Sequence, residues 1–397
     1  MAFDNDRLGR VADLADRYVS AGKLGGAQVQ VAHEGKVALR HTVGLADIDE
    51  GSPLADDAIF RIYSMTKPVT SVALMQLYEQ GLVLLEDPVA RFIPEFADAR
   101  VWVSGNAVSH TTRPASTAMT VRDVLTHTSG LTYGFFNSHP VDELYSQDQL
   151  GDFATPDVTL EAGMQRLATK PLLFEPGTSW NYSVSTDVCG RIVEVVSGQT
   201  LDTYFDDHLF TPLGMTDTAF SCPEVKLPRL ASNYALGPDG NLFKLSGNGV
   251  EMSHQPAFLS GGGGLLSTTD DYQRFCDMLL NGGTLDGRRV LGRKTIEFMA
   301  SNHLPGGRTL NDMGQSTFSE TVMEGMGFGL GFSVVVDPAA HGALTSAGEF
   351  AWGGAASTAF FIDPVERLTA IFMTQFMPSS YYPIRRQLKA TVYQALT

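Results

Sequence analysis

The apolar pattern of this chain is strand-like near both ends and helical in between. Residues 27–47, AQVQVAHEGKVALRHTVGLAD, alternate apolar and polar side chains about Glu34-Gly35. Period two on both sides of a turn that ends in glycine is the signature of a β-hairpin. Far along the chain, GFSVVVD and ASTAFFIDPVERLTAIFMTQF read as antiparallel strands, the second pair joined at Asp363-Pro364. One sheet must then be assembled from the two ends. The stripe of Leu8, Val11, Leu14, Ala15, Tyr18 and Val19 predicts a helix over residues 6–19, and Ile384, Leu388 and Val392 predict another over 383–396. The expected class is α+β: an antiparallel sheet flanked by N- and C-terminal helices, with a mainly helical insertion. A length of 397 residues exceeds what one core usually supports. The expected division is a discontinuous sheet domain, 1–75 and 175–397, around a helical domain, 76–174. Within 85–175 strand signals are weak, and the polar stretch 103–118 reads as loop. No internal repeat is visible.

Several function classes drop out early. A net charge of −16 disfavours nucleic acid and anionic membrane as partners. No run approaches the ~18 apolar residues of a membrane span. The N-terminal MAFDNDRLGRVADLADRYV has early acidic residues and no secretory pattern. Cys189, Cys222 and Cys276 are scattered, with no Cys-x-x-Cys, so buried thiols and a cytoplasmic location are expected. The nine histidines are dispersed and no His-Glu-x-x-His occurs, so no metal is expected. Gly261–Gly264 lacks the Gly-Lys-Ser/Thr of a phosphate loop and reads as a tight turn near a cleft. No Gly-x-Ser-x-Gly elbow is present. No organic cofactor is implied, and no oligomeric state is specified.

RIYSMTKPVT, residues 61–70, places Ser64 three before Lys67. The same spacing joins Ser20 to Lys23, so spacing alone decides nothing. Residues 64–80 read as a helix stopped by Gly81, with Pro68 tolerated in the first turn. Ser64 at its start is either a simple N-cap or a nucleophile beside free N–H groups and the positive end of the helix dipole. Val69, Val72, Ala73, Leu74, Met75 and Leu77 cover most of the circumference, so the helix is buried. A lysine on its first turn then needs a partner. Tyr182, in FEPGTSWNYSVSTDVCG, is a candidate, because a neighbouring cation can lower a phenol's pKa and make it a base. In GEFAWGGAAST, Trp352, Gly353 and Gly354 enter a strand where glycines mark a close approach or a β-bulge. His127 reads as a helix-start hydrogen-bonding residue, and Asp123, Glu175 and Asp187 as solvated or capping carboxylates.

Ser64-Met65-Thr66-Lys67, then Tyr182-Ser183-Val184, then Trp352-Gly353-Gly354, resembles the serine β-lactamase and penicillin-binding-protein superfamily. Within it the chain is most similar to the family VIII carboxylesterases. VLTHTSGLTYG, PLGMTDT, GGGGLLSTTDDYQRF and GFGLGF extend the likeness over most of the chain. The resemblance implies the same fold, Ser64 as acylated nucleophile, and Lys67 and Tyr182 moving protons. It also implies an oxyanion hole from the backbone N–H groups of Ser64 and Ala355.

The chain departs from lactamases and peptidases of that superfamily in two places. No Lys-Thr-Gly occurs; Trp352 stands where the carboxylate-binding lysine would be. Val184 replaces an asparagine. With Trp352, Gly353, Gly354 and Val184 against the substrate, both changes favour short neutral esters over charged lactams. The expected function is a serine carboxylesterase. An acyltransferase, a β-lactamase or D-amino-acid peptidase, and a catalytically silent binding protein on this fold are the competing readings.

Overall fold

The computed structural model describes residues 3–150, 158–245, 252–315 and 317–397. Its main sheet has eight strands: β1 (Gly26–His33), β2 (Lys36–Asp47), β3 (Ser52–Pro53), β4 (Met326–Phe328), β5 (Ser333–Val335), β6 (Phe350–Gly353), β7 (Ala359–Asp363) and β8 (Leu368–Thr374). Their order is β4-β5-β6-β7-β8-β1-β2-β3, antiparallel throughout. The expected union of the two ends is the β1–β8 ladder, running from Ala27 opposite Thr374 to His33 opposite Leu368. Glu34 and Gly35 both have positive φ, 51° and 73°, as a two-residue turn matched to strand twist requires. At the β7–β8 turn, Asp363 Oδ1 accepts from the N–H groups of Val365 and Glu366.

All seven residues of β8 are buried, because both faces of the sheet are covered. Leu368, Ala370 and Phe372 share a cluster with Leu8, Val11 and Leu14 of helix α1 (Asn5–Ser20). Leu388 and Val392 of the C-terminal helix (Ile384–Tyr393) complete that layer. Each such fully buried Val or Leu contributes about 1.5–3 kcal/mol. Ile371 and Met373 point the other way, into the large cluster holding helix α2 (Thr66–Glu79) and helix α3 (Val121–Leu125). The same cluster continues into Val141, Leu160 and Met164 of the helical segment expected as an insertion. Helix α4 (Ser185–Ser197) packs beside α2.

One expectation fails. The polar stretch near 103–118 contains a hairpin, Arg100–Gly105 paired with His110–Pro114. It is mostly exposed, so it lacks the apolar alternation that would have revealed it. Trp102 stacked on His110 anchors it, ring centroids 5.0 Å apart. Among the described residues no helix is long and apolar enough to cross a membrane.

Candidate active site

The turn before α2 sets the site. Tyr63 has φ 43°, a left-handed value that costs a non-glycine residue energy. Its hydroxyl accepts a hydrogen bond from Asn233 Nδ2 at 3.0 Å, which helps hold it there. A 3₁₀ turn, Tyr63–Met65, then runs into α2. Ser64 caps nothing: the N-cap position is Met65, without a side-chain bond. The Ser64 hydroxyl instead accepts from Tyr182 Oη at 2.5 Å and pairs with Lys67 Nζ at 3.1 Å. Lys67 Nζ also donates to the Gly262 carbonyl at 2.6 Å.

That carbonyl belongs to the glycine run, which is tied across α2. Thr70 Oγ1 donates to Gly261 O at 2.7 Å, and the Leu265 N–H donates to Thr66 Oγ1 at 3.1 Å. The turn lies so close to Asp187 that a side chain at Gly262 would strike its carboxylate. Asp187 was expected as a solvated or capping group; it is 1% exposed. Its Oδ1 accepts from Ser260 Oγ at 2.7 Å and from the Gly262 N–H at 3.0 Å, and Oδ2 has no hydrogen-bond partner among the described residues. The reason is its place on the first turn of α4, against the glycine run. Asp123 does cap: it completes a capping box with Thr120 at the start of α3. Glu175 pairs with Arg113.

Burial drives the electrostatics. Lys67 is fully enclosed, and burial pushes its pKa down to about 7 against the opposing attraction of Asp187 and then Glu320. Tyr182 moves the other way: burial, then the Glu320 charge, holds its phenol well above the usual range. The expectation of a lowered tyrosine pKa is therefore reversed, because the phenol is desolvated while the adjacent lysine is only partly charged at neutral pH. The resting arrangement is a phenol donating to Ser64 and a lysine poised to lose its proton. Lys67 Nζ also lies 4.7 Å from the Tyr182 ring centroid and 5.4 Å from that of Tyr133.

A cavity of about 760 Å³ opens above Ser64. Tyr182, Ala355, Glu320 and an aromatic wall of Tyr133, Phe135, Phe136 and Phe318 line it. The Ala355 N–H, in the turn after β6, has no acceptor among the described residues. The Ser64 N–H sits in the first turn of a helix, where such groups are free to bind an anion.

Four expected substrate contacts are not cavity walls. Trp352 is 2% exposed and packs edge-on behind the Tyr182 ring at 5.4 Å. Its indole N–H faces the Tyr182 oxygen closely enough to favour the phenolate slightly but finds no partner at hydrogen-bonding geometry among the described residues. Val184 is buried and lines a separate small cavity with Asp187 and Phe258. A side chain at Gly353 would strike the Arg385 guanidinium, and one at Gly354 the Ile62 carbonyl and Thr358 hydroxyl. The close approach that these glycines permit is to the protein's own groups. It presses the end of β6 onto the turn carrying Ser64. His127 also departs from expectation: it follows the end of α3, at φ 57°. There it bonds Ser183 Oγ at 3.1 Å and packs against the Tyr182 ring at 5.1 Å.

Pattern reading missed Glu320 and the Gly262 carbonyl. Glu320 stands in a segment without periodicity, and a backbone carbonyl leaves no mark in sequence. Asp187 had a signal, since it falls one helical turn after Tyr182-Ser183, but no rule separated it from a surface acid.

Comparison with known proteins places the arrangement. The family profile described as Beta-lactamase matches residues 11–394. Protein Rv1367c of Mycobacterium tuberculosis is 38% identical over 90% of this chain and 87% of its own length. Esterase EstB of Burkholderia gladioli is 31% identical over 92% and 89%. Among solved structures, EstCE1, described as a hydrolase with promiscuous acyltransferase activity, superposes with a TM-score of 0.82 at 25% identity, covering 98% of this chain and 99% of that one. An eight-stranded antiparallel sheet, a helix opening on Ser-x-x-Lys and these likenesses lead to one conclusion: the chain belongs to the beta-lactamase family and stands among its family VIII carboxylic ester hydrolases.

Proposed function

We propose that the protein hydrolyses short neutral esters through a covalent acyl-enzyme on Ser64. The observation that carries this reading is the Ser64–Lys67–Tyr182 hydrogen-bonded group at the base of the cavity, with Lys67 near neutrality. In acylation, the Ser64 hydroxyl adds to the ester carbonyl as its proton passes to neutral Lys67 Nζ. A base whose pKa lies near the working pH is the most effective kind. The tetrahedral oxyanion lies between the N–H groups of Ser64 and Ala355, donors already fixed before reaction. Collapse breaks the C–O bond to the alcohol, and Tyr182 Oη hands the leaving oxygen a proton that Lys67 resupplies. Water then adds to the acyl-enzyme, gives its proton to the same pair, and releases Ser64.

Acyl transfer is the second reading, favoured by the description of EstCE1. It needs only an alcohol in place of the deacylating water. Lactam hydrolysis is disfavoured, because no cation among the described residues lines the cavity for a lactam carboxylate while Glu320 does. The test is a series of p-nitrophenyl esters from acetate to palmitate, beside a penicillin and a chromogenic cephalosporin. Acetate to hexanoate should have the highest kcat/KM and the lactams a far lower one. Equal or better lactam turnover would overturn the esterase reading. Added alcohol that diverts acyl groups at the expense of acid would promote the transferase reading.

A further inference from the structure

Glu320 is 3% exposed and lines the cavity with Ser64 and Tyr182. Its Oε2 is fully occupied, by Arg385 Nη2 and by Ser379 Oγ at 3.0 Å. Arg385 also donates to the Glu320 carbonyl at 2.5 Å and to the carbonyls of Gly354 and Thr358 at 3.3 and 3.2 Å. Arg385 itself lies behind the wall and does not line the cavity. The pair is therefore a dipole with its negative end toward the substrate. Oε1 receives no hydrogen bond from any described residue. A carboxylate oxygen that meets the cavity without a protein donor turns negative charge toward the substrate, and a ligand that supplies positive charge complements it.

The same cavity carries an aromatic wall. Tyr133 stacks on Phe135 at 4.7 Å, and Phe136 meets both edge-on at 5.7 and 5.1 Å. Phe135 is exposed and Phe136 partly so, which leaves ring faces accessible. Aromatic faces together with one carboxylate form the chemistry that holds an alkylammonium group, through cation–π attraction at the rings and charge at the acid. A carboxylate in the same place meets repulsion. The Glu320 field also reaches Tyr182, where it exceeds the opposing influence of Arg385.

We propose that Glu320 and the Phe135–Phe136 wall, backed by Tyr133, make this cavity a charge filter that prefers esters bearing an alkylammonium group, on the acyl or the alcohol side, and rejects esters bearing a carboxylate. This rests on the esterase reading and adds a substrate class to it. Glu320 is a specificity residue in this account, not a proton carrier.

Two matched series test it. In the first, butyrate esters of choline, 3,3-dimethylbutanol and 4-hydroxybutanoate share one acyl-enzyme, so differences in kcat/KM report acylation alone. In the second, p-nitrophenyl esters of 4-(trimethylammonio)butanoate, 5,5-dimethylhexanoate and glutarate vary the acyl side. In at least one series the cationic ester should exceed its neutral isostere by roughly tenfold, the scale of one desolvated charge or cation–π contact. The anionic ester should be the poorest in both. Glu320→Gln should pull the cationic-to-neutral ratio toward one, whatever it does to absolute rates. A wild-type ratio at or below one in both series overturns the proposal without requiring the variant to fold, and so does a ratio that Glu320→Gln leaves unchanged. Turnover of the neutral esters in that case keeps the esterase reading intact. No turnover of any ester overturns both.

Discussion

The chain contains two serine–lysine pairs at identical spacing, and their surroundings could hardly differ more. Ser20 is the last residue of α1, at the carbonyl end, where the helix dipole disfavours negative charge. Its hydroxyl donates to Arg17 O at 3.4 Å, and it is exposed. Lys23 stands in solvent, its ammonium 5.7 and 5.5 Å from the ring centroids of Tyr18 and Tyr382. Ser64 precedes the amino end of α2, 3% exposed, and Lys67 is 1% exposed. The difference comes from the helices. α1 has one apolar face and keeps its other side in water; α2 is buried on every side but for a few residues near its end. Water keeps the Lys23 ammonium solvated, whereas the core removes that stabilisation from Lys67 and leaves it near neutral. A sequence spacing becomes a reactive pair only where the fold withholds solvent from it.

The comparison can be broken most directly by exchanging the serines. Ser64→Ala should lower kcat for p-nitrophenyl butyrate by roughly 10⁴-fold or more, while Ser20→Ala should leave it unchanged. Substantial turnover by the Ser64 variant would remove the distinction between the two pairs. Next in size is Tyr182→Phe, which deletes only the hydroxyl that donates to Ser64. A loss of roughly 10²–10⁴ in kcat with an unaltered melting temperature is expected. Near-normal kcat would assign all proton movement to Lys67.

The electrostatic half of the contrast has its own signature. Lys67 must be neutral to accept the serine proton, and its pKa is pushed down to about 7. The kcat/KM should therefore rise with pH, by about tenfold per unit on the acid side, and level off above neutrality. An acid limb still rising above pH 9 would mean that burial does not depress the Lys67 pKa. The smallest effect separates the glycines near each pair. Gly354→Ala should collide with Ile62 and Thr358 and displace the Ser64 turn, costing about 1–3 kcal/mol in stability together with activity. Gly22 has φ 66° and open space around it, so Gly22→Ala should cost about 1–2 kcal/mol through backbone strain and leave kcat alone. Chemical denaturation and kcat on the same two variants make the check.

The pieces of this molecule that sequence exposes are those governed by short-range periodicity. The Glu34-Gly35 hairpin, the stripe of α1 and the all-round apolarity of α2 each follow from residues adjacent along the chain. The exposed hairpin at Arg100–Pro114 escaped for the converse reason: with no face to bury, its strands carry no alternation. The candidate site shows the same divide. Ser64, Lys67 and Tyr182 stood out as residue types in a recurrent order, and the structure brings them within hydrogen-bonding distance. Trp352 was placed by analogy against substrate, but the β6 pleat turns it behind Tyr182.

By itself the sequence determined the α+β class, the union of its two ends in one antiparallel sheet, and the trio whose chemistry a serine hydrolase needs. The first two follow from hydrophobic period, a local property, and the trio from residue types whose order along the chain resembles a known family. The tertiary structure alone decided which serine–lysine pair is desolvated, and which way Lys67 and Tyr182 shift. It also decided that Asp187 lies buried against the glycine run and that Glu320 faces the cavity. Each of these depends on what packs against a group from distant parts of the chain, because the free energy of a charge is set by the solvent it loses and the partners it gains.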